Sequence, residues 1–255
     1  MASPGRRVPR VGLLLGLLVL VLPVGHVAHA DAAPRAAQDQ MAVLVDRARM
    51  TAGLLPLARA SALDRAATAH AEDMAARGYM EHEAPEGSTP ASRAAETGYE
   101  TPAGSAWLVV EVISARGDPP QDAVDWWLGD GLHRRVVLRP TWREMGVGFA
   151  RGGPYGRFWV LLFGCRPNVL PPVLLDGTLS IPDETCGTAS DTFGHVDAVR
   201  AASDAAALET AEWDAYSSAL AWPVGQPAIV QMRDKAGQIL QAPASDPAGA
   251  TAESP

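Results

Sequence analysis

An α+β fold class follows from three features of the sequence: helical periodicity through its first half, two β-prone runs joined by a glycine-rich turn, and loss of helical periodicity beyond Pro167. The chain has 255 residues, 47% of them apolar, enough to bury a core in one large domain or two modest ones.

Residues 31–39 are polar and alanine-rich and are expected to form a flexible entry segment. Met41, Leu44, Val45 and Ala48 then recur at the spacing of one helix face, and Gly53-Leu-Leu-Pro56 ends that helix. Ser61 with Asp64 three residues on has the form of a capping box, opening a second helix. That helix carries Leu63, Ala66, Ala67, His70 and Met74 and stops at Gly78. A Gly/Pro-rich turn region from Glu83 to Pro90 leads into a short helix over Ala91 to Glu96. Trp107 to Ile113 is a continuous β-prone run, read as a buried strand or an extended segment. After Pro119-Pro120, Ala123, Trp126, Trp127 and Leu128 make a helical patch ending at Gly129. Met145 to Ala150 and Phe158 to Phe163, joined by Arg151-Gly-Gly-Pro-Tyr-Gly156, form a hairpin. The first domain is accordingly placed at residues 40–166.

Beyond it Pro167, Pro171 and Pro172 mark a linker, and short apolar runs alternate with turns. The run Ala228 to Met232, the turn Asp234-Lys-Ala-Gly237 and Gln238-Ile-Leu240 predict another hairpin. Residues 168–241 are expected to be a small β-sandwich-like domain, immunoglobulin-like in class. The opposing reading makes the alanine-rich Asp197 to Ala219 helical. Residues 242–255, without a hydrophobic pattern, are expected to be a disordered tail.

Arg6, Arg7 and Arg10, the apolar run Val11 to Leu22, and Ala28-His29-Ala30 together have the pattern of a secretory signal over residues 1–30, cleaved after Ala30. The competing reading, a membrane anchor, requires roughly 20 apolar residues, whereas this run is shorter and is broken at Pro23. Removing this segment takes away three arginines and no acids, leaving 18 basic against 29 acidic residues and a formal charge of −11. That balance excludes nucleic acid as a partner, because phosphate binding needs clustered Lys and Arg, and Lys235 is the only lysine. In an exported chain Cys165 and Cys186 are expected to pair, stabilising the fold by about 3 kcal/mol; the alternative is two buried thiols.

Four side chains outside the apolar helical faces draw attention. His82 follows the end of the second helix, and His133 follows the Gly129-Asp-Gly131 loop. Glu111 is the one acid in an apolar run and needs a partner if buried, and Glu144 stands just before a strand. Their intervals match no short metal motif, and from spacing alone separate solvated side chains are the expectation. Ordered segments resolve the choice: Val43 with Asp46-Arg47-Ala48-Arg49; Ala69-His-Ala-Glu-Asp-Met-Ala-Ala-Arg-Gly-Tyr79; Gly87-Ser-Thr-Pro90; Trp126-Trp127 with His133-Arg134; and Glu144-Met-Gly-Val-Gly148. Over residues 40–166 the sequence resembles the CAP family of cysteine-rich secretory, antigen 5 and pathogenesis-related proteins, in its bacterial exported form.

The resemblance implies an α-β-α sandwich with a cleft lined by His82, Glu111, His133 and Glu144, able to hold a divalent metal such as Zn²⁺. Val110, Val112 and Leu132 depart from the family pattern around the first acid and the second histidine. His70 is read as structural. The segment Val230 to Gly237, with Trp213, Tyr216 and Trp222, resembles the accessory immunoglobulin-like modules of exported bacterial proteins. The function implied is a secreted, non-catalytic protein binding a divalent ion or small ligand. Two others compete: a metal-dependent extracellular hydrolase using Glu111 or Glu144 as base, and a surface-binding protein acting through the β module.

Overall fold

The computed structural model describes residues 1, 32–99, 108–116, 119–188 and 190–247. Residues 2–30 of the expected signal segment, Trp107, and residues 248–255 of the expected tail lie outside them.

The first half is built on one sheet. Its strands are β1 (Ala58–Arg59), β2 (Leu108–Ser114), β3 (Glu144–Gly152) and β4 (Gly156–Cys165), in spatial order β1-β3-β4-β2. The predicted hairpin is β3–β4, with Val147 opposite Leu161; β2 runs antiparallel to the far side of β4, with Glu111 opposite Leu162. Side chains alternate across this sheet, so each face has its own core. On one face Val112, Met145, Val147, Trp159, Leu161 and Phe163 pack against α1 (Ala32–Thr51) and α4 (Pro120–Gly129), through Met41, Val45 and Trp127. On the other, Ile113, Phe158, Val160 and Leu162 meet Leu63, Ala66, Ala67 and Met74 of α2 (Ser61–Arg77), beside α3 (Pro90–Glu96). The result is a helix–sheet–helix sandwich. A seven-residue helix, α5 (Gly131–Val137), follows α4 and was not expected from the sequence.

Two local readings change. The entry segment is not flexible coil: α1 begins at Ala32 and is continuous with the predicted helix, because alanine and glutamine propagate a helix that the Met41 face anchors. The capping box at Ser61 does not form either. Asp64 instead accepts the Val147 N–H at 2.8 Å and the Arg59 guanidinium at 2.6 and 3.0 Å, so its carboxylate joins α2 to the sheet. Gly78 does end α2, at φ 75°, where its N–H returns to Met74 O.

The second half forms two small sheets. β5 (Val173–Leu175), β6 (Thr178–Ser180) and β9 (Ala219–Ala221) make one, in the order β5-β6-β9. β7 (Val196–Ala202), β8 (Asp214–Ala215), β10 (Ile229–Asp234) and β11 (Ile239–Pro243) make the other, in the order β11-β10-β7-β8. Leu179 from the first and Val196, Val199, Val230 and Met232 from the second share one buried cluster. Helix within 197–219 is confined to α6 (Ala205–Thr210), capped by Asp204. The tail expectation fails at its start: residues 242 and 243 complete β11, and Ser245 pairs with Val173 and accepts the Arg59 N–H at 3.0 Å.

These contacts join the halves. Cys165 and Cys186 are disulfide-bonded, with Cα atoms 5.7 Å apart. Buried Arg143 donates to the carbonyls of Glu184 and Thr185 at 2.9 and 3.4 Å, immediately before that bridge.

Candidate functional site

The turn after α2 delivers His82, and the sheet delivers its partner. Alternation along β2 sends Val110 and Val112 toward α1 and α4 but Glu111 and Ile113 toward α2. A carboxylate buried this way must be compensated. Glu111 Oε1 accepts His82 Nδ1 at 2.8 Å, and Oε2 accepts Arg93 Nη2 at 2.9 Å. Arg93 arrives on α3, whose start is set by a reciprocal pair of bonds: Thr89 Oγ1 accepts the Ser92 N–H and Ser92 Oγ accepts the Thr89 N–H. Buried His70 lies beneath, its Nε2 3.0 Å from Glu81 O and 3.8 Å from Glu111 Oε1. Burial lowers the proton affinity of His70, so it stands as a neutral imidazole donating to the Glu81 carbonyl.

His133 has a different partner from the one its sequence position implied. Asp130 caps α5: its Oδ1 accepts the N–H groups of Leu132 and His133 at 3.0 and 3.1 Å, and His133 Nδ1 at 2.7 Å. Those bonds, the backbone one first, hold Asp130 below the usual carboxylate range. The His133 ring lies 4.7 Å from that of Trp126, over which Arg116 extends, and Leu132 beside it is 68% exposed. Trp127 Nε1 donates to Ile113 O, and α5 packs on β2, which keeps this pair next to the strand that carries Glu111.

Glu144 is held elsewhere. It is buried, facing α2, and its Oε1 accepts Arg166 Nη2 at 2.6 Å while Oε2 accepts Arg166 Nε at 3.0 Å and Tyr99 O–H at 2.7 Å. Burial, and after it the charge of Glu144, keep the Tyr99 phenol protonated. The four predicted residues therefore do not converge as one ligand set. The structure joins His82 to Glu111, joins His133 to Asp130, and places Glu144 in a buried ion pair.

In both histidine pairs a carboxylate accepts from Nδ1, so in the neutral ring Nε2 retains its lone pair. The two side chains are 53% and 26% exposed. This is the arrangement in which a carboxylate orients an imidazole for a metal or a proton donor. Among the described residues, the one group of three ligand atoms within 4.8 Å of one another is a different set, Asp183, Glu184 and His195, on the exposed β6–β7 connection. The sequence reading missed Asp130, Arg93, Tyr99 and Arg166. Only Asp130 carried a legible signal, an Asp at N-cap spacing before a histidine, taken as part of a Gly-Asp-Gly loop.

Residues 44–163 match the family model described as "CAP: Cysteine-rich secretory protein family". A 118-residue stretch is 28% identical to the uncharacterized protein YkwD of Bacillus subtilis, covering 46% of this chain and 43% of that protein, so the chain spans less than half the length of this relative. An outer surface protein of Borrelia burgdorferi has a similar structure, at 19% identity and a TM-score of 0.45, over 51% of this chain and 92% of that one. An extracellular protein containing an SCP domain from Bacillus anthracis is 25% identical, with a TM-score of 0.43, over 51% of this chain and 40% of that one. No helix among the described residues is long and apolar enough to cross a membrane.

Proposed function

On the premise that this chain belongs to the CAP family through the domain at residues 44–163, we propose that it is an exported binding protein, non-catalytic, that captures a divalent ion or a small ligand at the His82 and His133 imidazoles. One observation carries this reading: each ring is oriented through Nδ1 by a carboxylate, at 2.8 and 2.7 Å, while its side chain stays accessible. Export is supported by the signal-like pattern of residues 1–30 and by the disulfide, which suits an oxidising compartment.

The donor set fits a divalent ion in part. Each imidazole would offer Nε2 to it, His82 with Glu111 and His133 with Asp130 as the outer partner. Glu111 and Glu144 do not fit as direct ligands, since Arg93 and Arg166 already compensate their charge. An ion held there would keep positions open for water or ligand and would act as a Lewis acid toward them. The hydrolase reading is weaker for the same reason. A general base must be free to accept a proton, and both oxygens of Glu111 and of Glu144 are already bonded to donors.

Calorimetric titration of zinc into the mature protein and into the His82→Ala and His133→Ala variants tests the proposal. Loss of zinc binding in each variant is expected, about tenfold or more in affinity. Equal affinity in all three proteins refutes it.

A further inference from the structure

We infer that Arg93 is the positioning residue of this site, holding His82 and Glu111 in register and making Glu111 an orienting acceptor rather than a ligand or base. The inference deepens the reading of His82 as a binding group and rests on it. Three chain segments meet at the His82–Glu111 pair: the turn after α2, helix α3 and strand β2. They are distant in sequence, and the pair alone is one hydrogen bond between a half-exposed ring and a buried acid.

Arg93 is the side chain that touches all three segments. From α3, its Nη2 donates to Glu111 Oε2 at 2.9 Å and to the His82 carbonyl at 3.0 Å, while Nη1 donates to the Ser88 carbonyl at 2.8 Å. The same nitrogen therefore fixes the backbone of His82 and the carboxylate that receives its ring. His70 adds a second anchor, donating to the carbonyl of Glu81, the residue before His82. Consecutive carbonyls are thus held by two buried side chains from two different helices. A planar guanidinium suits this work because its fork reaches several acceptors in fixed directions, which an ammonium group cannot do.

The guanidinium also sets the electrostatics. A buried carboxylate beside two imidazoles would otherwise be drawn to any cation entering the site. With Arg93 on Oε2, Glu111 has its counter-charge and spends Oε1 on the His82 Nδ1–H. The direct ligand is then the imidazole Nε2, and Arg93 selects it through Glu111 without touching the ligand.

The test reads the ring itself, in the full mature chain without metal. Long-range ¹H–¹⁵N spectra report which imidazole nitrogen carries the proton, at about pH 8, above the ordinary histidine range. The His82 signals are identified by their absence from His82→Ala. In the wild type the Nδ1–H form is expected. In Arg93→Gln, with native circular dichroism retained, His82 is expected to become a mixture of both tautomers, and zinc affinity to fall by about tenfold or more. Arg93→Lys keeps the charge with a single-point donor and should give an intermediate spectrum; it decides the matter if Arg93→Gln does not fold. A His82 spectrum unchanged in a folded Arg93 variant overturns the inference. Absence of zinc binding by the wild type would instead remove the binding reading, and the tautomer measurement would still decide whether Arg93 positions the ring.

Discussion

Asp46 shows how one side chain ties the stability of this fold to pH. It lies fully buried on α1, its Oδ1 accepts the Leu57 N–H at 2.9 Å, and its Oδ2 has no hydrogen-bond partner among the described residues. Burial pushes its carboxyl up from 3.8 to about 8, outweighing that backbone bond and the nearby Arg49 and Arg59. A folded-state value above the unfolded one means that the folded protein binds the proton more tightly. Its contribution is complete below about pH 3.8 and is lost as pH rises through about 8, by about 1.4 kcal/mol per pH unit within that window. Asp46→Asn keeps the acceptor for Leu57 and cannot ionise. Urea unfolding between these limits is expected to show the wild type losing stability relative to Asp46→Asn as pH rises, and parallel profiles would contradict the assignment. The candidate site was legible to a similar depth. Glu111 could be singled out because a polar residue in an apolar strand demands a partner, and His82 because it follows the end of a helix, off its apolar face. The partner of His133 could not, because the competing acids Asp130 and Glu144 differ only in what folding brings near them: an α5 N-terminus for one, Arg166 and Tyr99 for the other.

At the scale of elements, the distance between α2 and the sheet decides whether the site forms, since α2 leads directly into the turn of His82. Two glycines of β3 set that distance. A Cβ on Gly146 would lie 2.2 Å from the Leu63 carbonyl carbon, and one on Gly148 would lie 2.1 Å from Ala67 O, contacts with backbone that cannot swing aside. Gly148→Ala should therefore force the helix off the sheet and destabilise by about 1–3 kcal/mol or more. Gly129→Ala, where no atom of the described residues outside its own helical turn lies within 4 Å of the new methyl group, is the control and should be close to neutral. Chemical denaturation of both variants measures the difference, and equal stabilities would show that α2 does not need this approach. The same packing explains why the strands and helices were readable while their connections were not. Periodicity exposes the faces of α1 and α2, because burial on one side leaves a repeat in the sequence, while β3 and β4, buried on both faces, read as continuous apolar runs joined by turn residues. Whether Asp64 caps its own helix or reaches across to Val147 depends on how closely α2 lies on β3, a tertiary fact without a local pattern. The start of α1 at Ala32 likewise required knowing that its C-terminal half was anchored.

For the whole molecule the question is whether the C-terminal sheets are a loosely tethered module or part of one cooperative body. The proline-rich junction suggested a linker, yet Leu170 and Val173 within or beside it are buried. Two attachments act on the same short segment: the Cys165–Cys186 bridge, and Arg143 on the carbonyls of residues 184 and 185. A third is independent of them, the Arg59 N–H bonded to Ser245 Oγ at the other end of the module. Replacing both cysteines with serine removes a cross-link closing about 20 residues and should cost about 3 kcal/mol. Calorimetry of that variant should still show one unfolding transition, because Arg143 and Ser245 remain. Adding Arg143→Ala removes the remaining hold on that segment, so the combined loss should exceed the sum of the two single losses and split the transition in two. Two transitions in the disulfide-bonded wild type would mean instead that these contacts do not couple the halves. Cooperative coupling would also bear on the site: Arg143 immediately precedes Glu144, the first residue of β3, so one strand end carries both the module's anchor and the acid paired with Arg166.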